Sequence, residues 1–192
     1  MGNRKFVVEV SARHVHLCKA DVETLFGPGV TLTKKRELSQ PSEFLSEERV
    51  DVIGPKNTFK NVAVLGPERS CSQVELSVTD GFTLGIPTPV RESGDITGTP
   101  GLLLHGPKGD LELKTGAITA KRHIHMAPED AAAFGVQNKQ IVEVRVETGR
   151  PLTYGGVVVR INPTYKLSMH VDTDEANAAL IGKDGCEGYI VK

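Results

Sequence analysis

The sequence lacks any apolar segment long enough to cross a membrane. No apolar run approaches the roughly 18 to 20 residues that a membrane-spanning helix needs. The first residues, Met1 to Val10, also lack the apolar core of a secretory signal. We therefore expect a cytosolic chain without a membrane partner.

The sequence also has few cysteines and no excess of one charge. The three cysteines, Cys18, Cys71 and Cys186, are widely spaced and form no C-x-x-C pair, which argues against a disulfide framework or a zinc ribbon. The 23 Lys and Arg residues nearly balance the 24 Asp and Glu residues, so the formal net charge is -1. Such a chain has no general attraction to nucleic acid. A phosphate-bearing partner would need a local basic site.

Glycine and proline, with 20 and 11 residues, divide the sequence into short apolar runs. Helices are predicted only at Ala20–Phe26, Pro128–Phe134 and Asp174–Ile181, the last with Asp172 as its N-cap. Strands are predicted at Lys5–Ala12, Val50–Gly54, Phe59–Leu65, Gln73–Thr79, Phe82–Pro87, Gly101–His105, Leu111–Lys114, Ala117–Met126, Gln140–Glu147, Leu152–Ile161 and Leu167–Asp172. The pattern indicates a mainly β fold with small capping helices.

One motif occurs twice. The segment S-A-R-H-V-H-L-C-K-A-D, from Ser11, aligns without gaps with A-K-R-H-I-H-M-A-P-E-D, from Ala120. The identical positions are Arg13 with Arg122, His14 with His123, His16 with His125, and Asp21 with Asp130. Each copy has the pattern of a strand followed by a short helix. This shared pattern favours two related halves of the chain over a chance similarity of two segments. We expect two small β-barrels or sandwiches of roughly 90 residues each, with a polar, lid-like segment at Gly27–Glu47.

The two H-x-H pairs of this repeat are candidate metal ligands. Residues i and i+2 of a strand project from the same face. His14 and His16 could therefore bind one ion, and His123 and His125 could bind another. A single pair could be two incidental imidazoles, but two pairs at matching places favour metal sites.

Two further ligand candidates follow from strand alternation. Glu75 lies on the polar face of the predicted strand Gln73–Thr79, and His170 lies near the end of the last predicted strand before the capped helix. Glu75 could equally be a solvated strand residue, and His170 a cap or surface group. The sixth histidine, His105, has no motif around it and is interpreted as a turn residue.

Five imidazoles and one carboxylate could bind two divalent ions with three protein ligands each. Positions left open for water or substrate are typical of a catalytic site. The donor set favours zinc, with cobalt, nickel and iron as alternatives, and suits calcium and magnesium poorly. Two divalent ions facing one negative ligand should attract an anion.

Several basic or polar residues could hold that anion. Arg69, which we predict in a turn six residues before Glu75, could bind a phosphate through two parallel hydrogen bonds. Ser93 and Arg160 offer further polar contacts. The turn around Lys56 provides another basic tip, which is equally ordinary in a hairpin.

An ordered set of motifs resembles one family. The motifs are S-A-R-H-V-H-L, R-E-L-S-Q-P-x-E-F, V-D-V-I-G-P-K, V-L-G-P-E-R-S-x-S-Q-V-E-L-S, G-x-P-x-P-V-R-x-S-G-D, K-R-H-I-H-M and M-H-V-D-T-D-E-A-N. From about Phe6 to the C-terminus they resemble the PduL-type phosphotransacylases, or phosphate propanoyltransferases. The resemblance implies an enzyme that interconverts acyl-CoA (propanoyl- or acetyl-CoA) plus phosphate with acyl phosphate plus coenzyme A, in propanediol degradation or a related setting.

The resemblance also implies roles for individual residues. A two-metal centre, usually zinc, would lie between two β-barrels, with one ion on His14, His16 and Glu75 and the other on His123, His125 and His170. Arg69 would be the phosphate-binding and catalytic arginine. The pocket would be lined by Gln40, Glu43, Gln73, Ser93 and Arg160. Coenzyme A would lie along Val10, Ser11, Ala12, Lys56, Leu65 and Asn177.

The same resemblance implies a domain organisation. Residues 1–12 and 121–192 would form one barrel and residues 13–120 the other, with residues 27–47 over the site. Relatives in bacterial microcompartments often carry an N-terminal amphipathic extension for shell association, whereas this chain enters its first strand within about five residues of Met1. We therefore expect a cytosolic or shortened form. A homodimer is the base-rate expectation for such an enzyme.

The expected mechanism is direct transfer, in which phosphate held by one ion and Arg69 attacks the thioester carbonyl. An acyl-enzyme on Cys18 or Cys71 is an alternative. A dinuclear metallohydrolase would account for the ligands but not for the further basic positions. A non-enzymatic β-barrel module with structural zinc is the third interpretation.

Overall fold

The computed structural model describes residues 4–191 of the chain. Its fifteen strands are β1 Lys5–Val10, β2 His14–Cys18, β3 Lys34–Glu37, β4 Phe44–Ile53, β5 Thr58–Arg69, β6 Gln73–Glu75, β7 Val90–Arg91, β8 Leu102–His105, β9 Asp110–Leu113, β10 Ala117–Ala120, β11 His123–Met126, β12 Ile141–Val146, β13 Leu152–Ile161, β14 Ser168–Val171 and β15 Cys186–Val191. Its helices are α1 Lys19–Phe26, α2 Val78–Leu84, α3 Pro128–Phe134 and α4 Thr173–Ala178. These helices have at most eight residues, so none of them can cross a membrane.

The chain divides into two compact units. The first contains the residues up to Ser11, the short segment Ser39–Pro41 and the chain from Lys121 onward, and the second contains Ala12–Leu38 and Ser42–Ala120. Each unit has its own hydrophobic core.

The first unit is a closed six-stranded barrel in the order β1-β14-β11-β13-β12-β15. Its core contains apolar side chains that point inward from alternate strand positions, among them Val8, Ile124, Val144, Val159 and Met169. The second unit is an open, curled nine-stranded sheet in the order β7-β10-β6-β2-β5-β4-β8-β9, with β3 paired to β4. The prediction of a mainly β fold with short helices is confirmed.

The sequence repeat extends into the topology of both units. In the second unit β2 pairs parallel with β5 and antiparallel with β6, and in the first unit β11 pairs in the same way with β13 and β14. His14 is the register partner of Glu75, and His123 is the register partner of His170. A helix follows each of β2, β6, β11 and β14. Each unit therefore contains the same strand and helix arrangement around its histidine pair.

One predicted strand region is wrong. Of the predicted strand Gln73–Thr79, residues Gln73–Glu75 form strand β6 as expected. Helix α2 replaces the end of that strand and the start of the predicted strand Phe82–Pro87. Ser77 caps this helix by accepting a hydrogen bond from the Asp80 amide, and Asp80 accepts one from the Ser77 amide in return. Gly85 ends the helix with a positive φ of 81°. The alternation of Val74, Leu76 and Val78 is typical of a strand, and it outweighed the capping signal in the prediction.

Other boundaries differ from the predictions for local reasons. The predicted strand Ala117–Met126 is two strands, β10 and β11. Arg69 is the last residue of strand β5 and not a turn residue, because β5 pairs with β2 up to that position. His105 ends strand β8, where it pairs with Asp110 in register. Part of the polar segment predicted as a lid forms the exposed strand β3.

The barrel core gives a direct stability prediction. Ile124 is fully buried between the two histidines of β11, so Ile124→Ala should lower the free energy of unfolding by about 2–5 kcal/mol. Ile141, on β12 of the same barrel, is 55% exposed, and Ile141→Ala should cost less than about 1 kcal/mol. Urea unfolding of both variants measures the difference, and equal losses would contradict the assignment of Ile124 to the core.

Candidate metal centres

The second unit contains one candidate metal centre, formed by His14, His16 and Glu75. The two histidines lie on one face of β2, and Glu75 lies on the neighbouring strand β6. The Nε2 atoms of His14 and His16 are 3.1 Å apart, and they lie 3.6 and 3.8 Å from the Glu75 carboxylate oxygens. The two nitrogens and the two carboxylate oxygens therefore lie close enough together to bind one ion.

A hydrogen bond orients His14, and burial keeps His16 neutral. His14 Nδ1 lies 2.8 Å from the Ala12 carbonyl oxygen, to which it donates its proton. Burial lowers the pKa of His16 well below the ordinary histidine value, and its electrostatic interactions with His14 and Arg69 lower it further. His16 is therefore neutral at neutral pH, which is the metal-binding form of histidine.

The Glu75 carboxylate is held in its charged form. It accepts hydrogen bonds from Gln73 Nε2 at 2.6 Å and from Ser93 Oγ at 2.8 Å. Burial alone would raise the pKa of Glu75, but the two imidazoles, the Ser93 hydroxyl and the Arg69 guanidinium outweigh it and lower this pKa to about 2. Glu75 is thus a buried anion beside the two histidines.

Arg69 is connected to this centre through Ser93. Its Nη1 atom donates to Ser93 Oγ at 3.0 Å, and the same hydroxyl donates to Glu75. Its Nη2 atom donates to Glu43 Oε1 at 3.1 Å. Four residues predicted to line the phosphate pocket, Arg69, Glu43, Gln73 and Ser93, therefore form one hydrogen-bonded network with a candidate metal ligand.

The first unit contains the other candidate centre, formed by His123, His125 and His170. One donor atom from each ring lies within 4.8 Å of the others. His123 Nδ1 lies 2.8 Å from the Lys121 carbonyl oxygen, which repeats the contact between His14 and Ala12. Burial lowers the pKa of His125 to about 2, and its electrostatic interactions with His123, His170 and Arg160 act in the same direction.

A carboxylate that the sequence analysis did not single out contacts this second centre. Glu9 Oε2 lies 3.2 Å from His170 Nε2. The hydrogen bond from His170 lowers the pKa of Glu9 more than burial raises it. Glu9 lies on β1, whose residues show only ordinary alternation. No sequence signal could have distinguished it from a solvated strand residue.

Gln40 also belongs to the surroundings of His170. The buried Gln40 amide donates to the Lys166 carbonyl and to Ser168 Oγ, both at 2.8 Å, and Ser168 Oγ lies 3.3 Å from His170 Nε2. The structure thus places Gln40 in a different unit from Arg69, Glu43, Gln73 and Ser93.

Arg160 is the register partner of His125, and its Nη2 atom lies 3.3 Å from the Tyr165 hydroxyl. The Tyr165 ring packs against His125, with ring centroids 4.3 Å apart. No sequence signal marks Tyr165, which lies between two predicted strands and belongs to no motif. A tyrosine hydroxyl and a guanidinium therefore flank the second centre.

The residues expected along the coenzyme A path fall in both units. Val10, Ser11 and Asn177 belong to the first unit, and Ala12, Lys56 and Leu65 belong to the second. Ala12 supplies the carbonyl that orients His14, and Leu65 is the register partner of His16. Their contact with coenzyme A stays a prediction.

The donor sets of both centres fit divalent metal ions. Bonds of 2.0–2.1 Å in a tetrahedral site separate neighbouring ligand atoms by about 3.3 Å, close to the 3.1–3.8 Å of the first centre. Imidazole nitrogens with at most one carboxylate suit zinc and neighbouring transition metals. Three protein ligands at each centre leave room in the coordination sphere for substrate atoms.

The chain is similar to known proteins over nearly its whole length. Residues 7–182 match the sequence profile of the phosphate propanoyltransferase family. The phosphate propanoyltransferase of Enterococcus faecalis is 55% identical over 187 residues, 97% of this chain and 88% of that protein. Those of Listeria monocytogenes and Thermotoga maritima are each 52% identical, over 96% and 97% of this chain and over 86% and 89% of their own lengths. The chain therefore belongs to the phosphate propanoyltransferase family of acyltransferases.

Proposed function

We propose that this protein interconverts a short-chain acyl-CoA, propanoyl- or acetyl-CoA, and phosphate with acyl phosphate and coenzyme A. The observation that carries the proposal is the hydrogen-bonded path from Arg69 through Ser93 to Glu75. This path places an anion-binding guanidinium beside a candidate metal ligand. The relatives named phosphate propanoyltransferase support the choice of substrates.

Two divalent ions, most simply zinc, would be held by His14, His16 and Glu75 and by His123, His125 and His170. When bound, they would supply positive charge for phosphate and the thioester carbonyl, and a soft partner for the departing thiolate. The fixed Nδ1 contacts of His14 and His123 support their role as ligands, because they leave each Nε2 lone pair free.

Phosphate would be bound by the Arg69 guanidinium, which can donate two parallel hydrogen bonds to it. The contacts with Ser93 and Glu43 hold the guanidinium in a fixed orientation. A phosphate oxygen would then attack the thioester carbonyl carbon. An O–C bond forms, the C–S bond breaks, and coenzyme A leaves as a thiolate. Arg160 and the Tyr165 hydroxyl are suited to contact a negatively charged substrate at the second centre.

We further propose that residues 1–12 with 121–192 and residues 13–120 are the two domains of the enzyme. The separate cores of the two units support this division. We also propose that Gly27–Glu47 acts as a lid, because Glu43 in this segment pairs with Arg69. A homodimer and a location in the cytosol or within a bacterial microcompartment stay predictions from the sequence, and shell association is expected only of full-length relatives.

The test is an assay with purified protein, propanoyl-CoA and acetyl-CoA, with and without phosphate. Release of free thiol that requires phosphate, together with acyl phosphate formation, is the expected result. Thiol release without phosphate would instead indicate a dinuclear metallohydrolase. No turnover, combined with unfolding on chelation, would indicate a structural zinc module.

The direct route also predicts that no cysteine is needed. Neither candidate centre contains a cysteine, so the double variant Cys18→Ser with Cys71→Ser should retain turnover within about threefold. Phosphate-dependent release of coenzyme A measures it. Loss of activity with both metal ions still bound would contradict direct transfer and favour an acyl-enzyme.

A further inference from the structure

An arginine precedes the first ligand of each centre and forms an ion pair with a carboxylate. Arg13 donates from Nε and Nη2 to Asp80 Oδ1, at 3.0 and 2.6 Å. The Asp80 side chain is only 5% exposed. Arg122 Nε lies 3.0 Å from Glu175 Oε1, and the Glu175 side chain is 19% exposed.

The two carboxylates occupy the same structural position. Asp80 is the third residue of helix α2, where it completes a capping box with Ser77. Glu175 is the third residue of helix α4, where it completes a capping box with Asp172. Each of these helices follows directly on the strand that carries the third ligand.

An aromatic ring also supports each guanidinium. The Arg13 guanidinium carbon lies 4.2 Å from the centroid of the Phe59 ring on β5. The Arg122 guanidinium carbon lies 5.8 Å from the centroid of the Tyr154 ring on β13. Because β5 and β13 are equivalent strands in the two units, the arginine, its carboxylate and its ring are all duplicated together.

We infer that Arg13 and Arg122 are equivalent positioning residues, each of which fixes one triad of metal ligands; the inference rests on the proposed function. Each ion pair ties the residue before the first ligand to the helix that follows the third ligand. In each unit, the pairing of two strands already places the first ligand beside the third. His14 lies opposite Glu75, and His123 lies opposite His170. The ion pair restrains the strand of the first ligand relative to the helix after the third ligand. It thereby holds the three ligands in positions suited to binding an ion.

The inference predicts an effect confined to one centre for each arginine. Outer partners that orient metal ligands are typically worth 10–100-fold in metal affinity. Arg13→Gln should therefore weaken Co²⁺ binding by the His14, His16 and Glu75 centre about 10–100-fold, and leave the other centre within twofold. Arg122→Gln should show the opposite pattern.

The experiment titrates metal-free protein with Co²⁺, whose visible absorption reports coordination geometry, in competition with a chelator. To observe one centre at a time, Arg13→Gln is measured in a His125→Ala background, and Arg122→Gln in a His16→Ala background. Circular dichroism establishes that each protein is folded. Arg145 is about as exposed as Arg122 and pairs with Glu147 away from both centres. The control variant Arg145→Gln should therefore bind Co²⁺ like its parent.

Milder variants keep the test decisive if an arginine variant does not fold. Glu175→Gln and Asp80→Asn preserve an acceptor for the capping box but remove the ion pair, and each should weaken Co²⁺ binding at its own centre alone. Wild-type affinity and an unchanged Co²⁺ spectrum in the folded variants would overturn the inference, as would equal weakening of both centres. A parent protein that transfers acyl groups without binding Co²⁺ would also overturn it while leaving the proposed reaction intact.

Discussion

Replacement of His125 by alanine is expected to lower phosphate-dependent acyl transfer at least about 10³-fold, because metal-ion catalysis contributes several kcal/mol to such a transition state. His125 is buried, and its lowered pKa leaves a neutral ring at neutral pH. Loss of this ligand leaves His123 and His170 as the only two donors of that triad. Two ligands are too few to retain a divalent ion at a catalytic site.

The measurement combines metal analysis with initial rates. We expect the metal content to fall from two ions per chain to one, and a chelator to inactivate the wild-type protein until Zn²⁺ is restored. His105→Ala is the matched control, because His105 is an exposed histidine paired with Asp110 outside both centres. The control should keep two ions and full activity. A folded His125→Ala protein with two ions and normal rates would contradict the second centre.

Arg69→Ala is expected to lower kcat/KM for phosphate by about 10²–10³-fold, the usual effect of removing one preorganised donor for developing charge. Arg69 is the charged donor in the network that includes Ser93 and the candidate ligand Glu75. Without it, phosphate would lose both its bidentate hydrogen bonds and the charge that offsets its own. Metal content should stay at two ions, since Arg69 is not a ligand.

Two further variants separate charge from geometry at this position. Arg69→Lys keeps a positive charge but cannot form two parallel hydrogen bonds, so it should recover only part of the lost rate. Arg145→Ala removes an arginine of similar exposure that is paired with Glu147 outside both centres, and it should leave the rate unchanged. Saturation curves in phosphate divide the effect between kcat and KM. Rates of Arg69→Ala within twofold of wild type would exclude its role in phosphate binding.

The sequence predicted the fold class and the family because local signals and the global fold agree in most of the chain. The H-x-H pairs lie on strands as expected, since the alternation of β-strands directs both rings to one face. Helix α4 was recognised from the Asp172 and Glu175 capping box. Helix α2 carries an equivalent box at Ser77 and Asp80, but the alternation of neighbouring apolar residues favoured a strand there.

The candidate ligand sets could be proposed from sequence, but their surroundings could not. Glu75 and His170 follow from strand alternation, and the structure places each beside its histidine pair. Glu9 and Tyr165 reach the second centre through strand pairing and ring packing between distant parts of the chain. Arg13 and Arg122 were visible as matched positions, yet their partners Asp80 and Glu175 depend on tertiary structure.

The third position of the two triads has a chemical consequence. One triad includes the carboxylate of Glu75, and the other has the imidazole of His170 at the equivalent strand position. An anionic donor partly neutralises a bound cation, whereas three neutral donors leave its charge intact. If both proposed centres bind the same divalent metal, the ion held by His123, His125 and His170 would be the stronger Lewis acid.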